Sequence, residues 1–181
     1  MQAFQRRALA RQAVAVVGGN EGKFRHAMVV RVRGQADSKP IIVPVSRPGF
    51  ERAARSVLDV VDGAGGPILV GIEFAGTYGF TFAHYLRSLD PRFQIVSVLP
   101  AHAKRWNEVK PGQPLKTDAK EAVGITDLAA QGHFVLFPFL ATGHAEFRYL
   151  LSAARECSPP PCPAWRSCRP RSRISVGPRR P

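Results

Sequence analysis

Three carboxylates stand at positions where acids can gather around a divalent cation. Glu73 follows the apolar run Ile68 to Ile72 (ILVGI) in the segment GIEFAGTY, and an acid leaving a buried strand sits where loops collect polar side chains. Asp118 and Glu121 in KTDAKEA are three residues apart at a helix start, so their side chains share one face. Two acids on one face supply the hard oxygen ligands that Mg²⁺ takes. A plainer account also exists: Glu73 as a solvated strand end or a helix N-cap neighbour, and Thr117 as an N-cap followed by acids that favour the helix dipole.

Lys104, Arg105, Trp106, Lys110 and Lys116 precede that helix. A basic stretch with one aromatic can guide a phosphate backbone toward the acids, or it can be a solvated loop. His26, His84, His102, His133 and His144 show no HxH or HExxH spacing and are assigned no role. The glycine-rich VVGGNEGKF fails as a phosphate loop. Val17 stands where the Walker pattern needs its first glycine and Phe24 where it needs Ser or Thr, while Asn20 lacks the acid that actin-like ATPases carry at this turn.

The elements that must position these groups are legible as apolar patterns. Ala13 to Val17, Arg25 to Arg33 and Ile41 to Val45 are expected to form a three-strand meander, with Pro44 at an edge or strand end. Pro48 to Val61 places Phe50, Ala53, Ala54, Val57, Leu58 and Val61 at helical spacing, and GAGG at 63–66 stops that helix. Ile68 to Ile72, a helix from Tyr78 to Leu89 and Gln94 to Leu99 read as a parallel βαβ unit. A short helical stretch after Pro100, the polar loop VKPGQPLKT and a helix from about Asp118 to Gln131 follow. Three strands, helix, strand, helix, strand, then helices is the order of a ribonuclease H-like α/β fold with a mixed sheet flanked by helices.

The 181 residues, 45% hydrophobic and 22% charged, suit one domain of residues 1–156 followed by a tail. The tail, residues 157–181 (CSPPPCPAWRSCRPRSRISVGPRRP), is expected to be disordered because Pro and Arg at that density sustain neither helix nor central strand. Its three cysteines are odd in number, widely spaced and without a nearby His, which argues against zinc. Beginning abruptly after the helical pattern AEFRYLLSAARE, it fits translation out of the original frame. A locus whose nucleotides after residue 156 hold no alternative frame continuing the globular pattern would refute that.

The net charge of +13 and a pI near 10.8 favour a polyanionic partner, nucleic acid first. Without the tail a net +7 remains. The longest apolar run, Phe134 to Ala141, is interrupted by Pro138 and far shorter than the roughly 20 residues of a membrane helix. AVAVV is likewise too short for a signal peptide, so a cytoplasmic protein is expected. Phe134, Phe137 and Phe139 read as core or as an interface for a further domain.

Taken together, VVGGNEGKFRHAMVV, GIEFAGTYGFTFAHYL, VSVLPAHAKRW and KTDAKEA resemble the N-terminal, RuvC-like domain of the DEDD-type insertion-sequence transposases, an RNA-guided recombinase family, over roughly residues 14 to 150. The ordered trio is the most specific part: Glu with Gly and Tyr after a buried strand, a strand ending in Leu-Pro, then Lys-Thr-Asp before a second acid. The resemblance implies metal-dependent cleavage and transfer of DNA strands at a two-ion Mg²⁺ site. The family's Asp at the first strand end, Glu after the fourth strand and two Asp on the helix fall by position on Asn20, Glu73, Asp118 and Glu121.

Glu121 keeps its charge with one more methylene. Asn20 keeps only a carbonyl oxygen, so the two-ion site and turnover are expected to be weakened. Glu21 is adjacent, but on a strand the next side chain points to the opposite face, and only a bulge, which Gly18 and Gly19 would permit, brings it into the site. The resemblance further implies DNA and a guide RNA as partners, homo-oligomers among full-length relatives, and a helical domain with a nucleophilic Ser that finds no candidate in this sequence. The chain alone is therefore expected not to transpose DNA. The competing expectation is a catalytically inactive remnant that binds DNA or RNA through its basic surface.

Overall fold

In the computed structural model the chain runs α1 (Ala3–Gln12), β1 (Ala15–Asn20), β2 (Arg25–Val32), β3 (Ile41–Pro44), α2 (Arg47–Val61), β4 (Ile68–Glu73), α3 (Tyr78–Leu89), β5 (Phe93–Ser97), α4 (Pro100–Val109), α5 (Asp118–Ala130) and β6 (Val135–Leu136). The structure describes residues 1–61, 63–74, 78–109 (without the Asn107 side chain) and 117–137. These belong to a compact unit, Met1–Leu140. The domain end at 156, the tail at 157–181, Phe139, His144, Lys110 and Lys116 lie outside the described residues.

The six strands are ordered β3-β2-β1-β4-β5-β6. The β1–β2–β3 meander is antiparallel, β1, β4 and β5 run parallel, and β6 returns antiparallel on β5. This mixed sheet with helices on both faces is the expected ribonuclease H-like arrangement. Alternation along the strands explains the layering. Ala15, Val17, Met28, Val30, Val70 and Ile95 face one way into a core with α2 and α3, where Phe50, Phe82 and Leu86 fill the space. Val16, Leu69, Val96 and Val98 face the other way, against Ala10, Ile125, Leu128 and Phe134. Phe134 and Phe137 are thus core residues of this unit. Among the described residues no helix is long and apolar enough to cross a membrane.

The amphipathic spacing of α2 delivers what it promises: Phe50, Ala53, Ala54, Val57 and Val61 are all buried. Ser46 Oγ accepts the Gly49 N–H at its start, and Gly63, at φ +68°, provides the left-handed turn after its end. One element is added and two expectations are corrected. Residues 3–12 form helix α1; its one buried side chain, Ala10, leaves almost no periodicity to read, although Ala, Arg, Gln and Leu are strong helix formers. Ala13 caps α1, so β1 starts at Ala15. Gly18 and Gly19 are strand residues, not a turn, because β2 and β4 pair with β1 on both sides as far as Asn20.

Candidate active site

The parallel strands β1 and β4 end together, with Asn20 and Glu73 as register partners. Asn20 shares its side of β1 with Val16 and Gly18, and Glu73 shares its side of β4 with Leu69 and Gly71. Alternation therefore turns both toward α5.

Helix α5 reaches them because two strand positions beneath it carry no side chain. Gly18 and Gly71 are also register partners. A Cβ on Gly18 would collide with the Ala122 carbonyl and Thr126 Oγ1, and one on Gly71 would lie 2.9 Å from Ala129 Cβ. Two bare glycines side by side thus let the helix backbone approach closely. Thr126, fully buried there, satisfies its hydroxyl by donating to the Ala122 carbonyl at 2.8 Å.

The result is one direct bond across 101 residues of sequence: Asn20 Nδ2 donates to Glu121 Oε2 at 2.7 Å. Glu121 is partly buried, whereas Asp118, the first residue of α5, is exposed. Thr117 is the N-cap, its Oγ1 accepting the Lys120 N–H at 3.3 Å. Ordinary helix capping and a reach to the strand end are therefore both true of KTDAKEA.

Further contacts hold this end of the sheet. Glu21, one residue past Asn20, turns the opposite way and its Oε2 accepts the Gly79 N–H in the first turn of α3. No acid of α3 itself lies in that turn, so a carboxylate from the neighbouring strand end serves the helix dipole. That missing acid was the available signal for Glu21's role. His26, given no role from sequence, is a buried core histidine between Phe50 and Phe82, with ring centroids 5.9 and 5.5 Å away. Its Nδ1 accepts the Gly22 N–H at 3.2 Å, and burial pushes its pKa down to about 4, so the ring is neutral.

On the α5 face, Asp127 accepts from Arg31 at 2.8 Å and from Trp106 Nε1 at 3.2 Å, joining β2, α4 and α5. Arg31 also forks onto Asp37, and these two acids hold its guanidinium firmly charged, Asp37 foremost. Trp106 is therefore an anchor for α4. Lys104 and Arg105 beside it are exposed on α4.

Of the sequence-derived site, the fold unites Asn20 with Glu121 and places Glu73 on the adjoining strand end; it leaves Asp118 a turn away at the surface. Among the described residues no three His, Cys, Asp or Glu side chains are grouped to hold a metal ion. The carboxylates Glu73, Asp118 and Glu121 suit a hard cation such as Mg²⁺ in kind. The fourth place does not: Asn20 contributes no charge, and its N–H already engages a Glu121 oxygen. As placed, these side chains do not fit a two-ion site: Asp118 stands at the surface and Asn20 adds no charge.

A family model for DEDD transposases of the IS110 type, described as transposase, matches residues 22–155. The matched segment contains Glu73, Asp118 and Glu121 and starts two residues beyond Asn20. Among solved structures, Thermus thermophilus RuvC is similar at 15% identity and a TM-score of 0.46, over 68% of this chain and 99% of that one. The same protein in complex with a Holliday junction substrate matches at 14% identity and a TM-score of 0.46, with the same coverage. No curated protein matches the chain.

Proposed function

The chain belongs to the DEDD-type transposase family, and from that premise we propose that it is the catalytic-domain portion of a DNA transposase whose strand-cleaving centre is disarmed at Asn20. The observation that carries this reading is the bond from Asn20 Nδ2 to Glu121 Oε2 at 2.7 Å. Two carboxylates at that separation would repel unless a cation lay between them. An amide N–H satisfies the Glu121 oxygen directly and leaves less for a cation to offset.

Glu73, Asp118 and Glu121 are the residues that would hold Mg²⁺. When bound, Mg²⁺ supplies positive charge against the negative charge that develops on a phosphodiester under attack. The chain's own contribution is placement. The strand ends present Glu73, the glycine seat brings in Glu121, and the exposed cations Lys104 and Arg105 on α4 offer the phosphate backbone a track on the side that bears α5. DNA is the proposed partner and the cytoplasm the proposed location.

Titration calorimetry with Mg²⁺ or Mn²⁺, beside a nicking assay on branched DNA, tests the proposal on the wild-type chain and on Asn20→Asp. The expected result is tight metal binding and nicking by Asn20→Asp only. Wild-type nicking would show that the centre is intact. If neither protein binds metal, the second reading stands instead, favoured by the same hydrogen bond: a remnant that binds DNA or RNA without cutting it.

A further inference from the structure

The hairpin turn that follows Asn20 carries an exposed aromatic ring that no packing explains. Phe24 is 79% exposed, although it lies between a strand pair whose other apolar side chains are mostly buried. The turn is nevertheless held on both sides of it. Gly22 N–H donates to His26 Nδ1 at 3.2 Å, and the Phe24 carbonyl accepts the Val45 N–H at 3.0 Å. A fixed backbone thus presents a ring to solvent, at low ordering cost if a partner covers it.

Its surroundings specify that partner's chemistry. Lys23 Nζ stands over the ring, 5.7 Å from its centroid, and Arg25, the next residue in sequence, is exposed. The nearest acid in sequence, Glu21, is turned away onto Gly79 of α3. The tip therefore carries an exposed aromatic ring between two exposed cations in sequence, residue types that stack a base and hold its phosphates. It also lies at the sheet end where Asn20 and Glu73 finish their strands. Phe4 is equally exposed at 79% on α1, near Arg6 and Arg7, but α1 leads into β1 at the end of the sheet away from Asn20.

We infer that Lys23, Phe24 and Arg25 form a stacking tip for an unpaired DNA base beside the candidate active site. This rests on the DNA reading above and adds a structural preference to it: branched or locally unpaired DNA over continuous duplex. Phe24 supplies the stacking face, and Lys23 and Arg25 hold the flanking phosphates.

The test uses the full 181-residue chain and two probes of equal length, a continuous duplex and a branched DNA with a fluorescent adenine analogue at an unpaired position by the branch. Wild-type protein is expected to bind the branched probe more tightly and to change the analogue's emission. Phe24→Ala should lose that emission change and about tenfold in affinity for the branched probe, while duplex binding stays within about twofold. Phe24→Trp should restore both, and Phe4→Ala should match wild type. At its exposure, Phe24→Ala should melt as wild type does. Equal binding of the branched probe by wild type and Phe24→Ala overturns the stacking tip while leaving DNA binding in place. Failure of the wild-type chain to bind either probe overturns both the tip and the DNA reading beneath it.

Discussion

Asn20, the last residue of β1, donates its side-chain N–H to Glu121 in the first turn of α5, and this 2.7 Å bond closes the strand end against the helix. An acid at position 20 would replace attraction with repulsion. Asn20→Asp is expected to lower stability in chelator by about 1–3 kcal/mol, and Mg²⁺ should recover much of it. Thermal melts with EDTA and with Mg²⁺ check this. Equal melting of Asn20→Asp under both conditions would show that the two positions do not share a cation.

The glycine seat under α5 should be intolerant of side chains. At Gly18 the obstruction is the helix backbone, so Gly18→Ala has to lift α5 and should cost about 3 kcal/mol or more. At Gly71 the neighbours are side-chain carbons, the nearest at 2.9 Å, and Gly71→Ala should cost less. Urea unfolding of the two variants gives the order directly; a Gly18→Ala protein as stable as wild type would mean that α5 does not lie so close.

His26 makes stability depend on pH. Its ordinary pKa of 6.5 falls to about 4 in the folded protein because burial disfavours the charged ring. The unfolded chain therefore takes up the proton first. The contribution of neutral His26 is fully present above pH 6.5 and declines on acidification toward pH 4, by up to about 1.4 kcal/mol per pH unit. Urea midpoints at pH 7 and pH 5 should separate more for wild type than for His26→Gln. The same separation in both proteins would assign the acid sensitivity to other groups.

Asp127 ties Trp106 of α4 and Arg31 of β2 to α5. Asp127→Ala leaves the Arg31 guanidinium with Asp37 alone and the Trp106 N–H without this acceptor. We expect a loss of about 1–3 kcal/mol and a red shift of Trp106 emission, measured with Trp165 replaced by Phe. Unshifted emission would show that packing alone fixes α4.

The exposed cations of α4 should act on binding rather than on folding. Lys104→Glu together with Arg105→Glu is expected to weaken DNA binding at low salt and to reduce the log–log salt slope by about two, one for each phosphate that the variant no longer neutralises. The slope is read from titrations at several salt concentrations, and an unchanged slope would move the phosphate track elsewhere on the protein.

Local pattern carried much of this protein. Period-2 alternation and apolar runs located the five longer strands, helical spacing located α2 and α3, and Thr117 announced the start of α5, because these signals arise between residues close in sequence. Ordered motifs were enough to single out Glu73, Asp118 and Glu121. Where long-range contact did the deciding, local reading failed or stayed open. Gly18 and Gly19 resembled a turn until neighbours on both sides made them strand, and α1 had too little apolar face to announce itself.

Position 20 shows the division most clearly. From sequence alone Asn20 was a missing acid, its charge lost and its neighbour Glu21 rightly placed on the other face by strand alternation. That it donates to Glu121, and that Glu21 instead serves the start of α3, depends on how near α5 and α3 come to the sheet. Those distances follow from side-chain volumes and absences at Gly18 and Gly71 and from register between strands. They involve residues more than 100 positions apart, and only the assembled tertiary structure brings such residues into one balance of packing and charge.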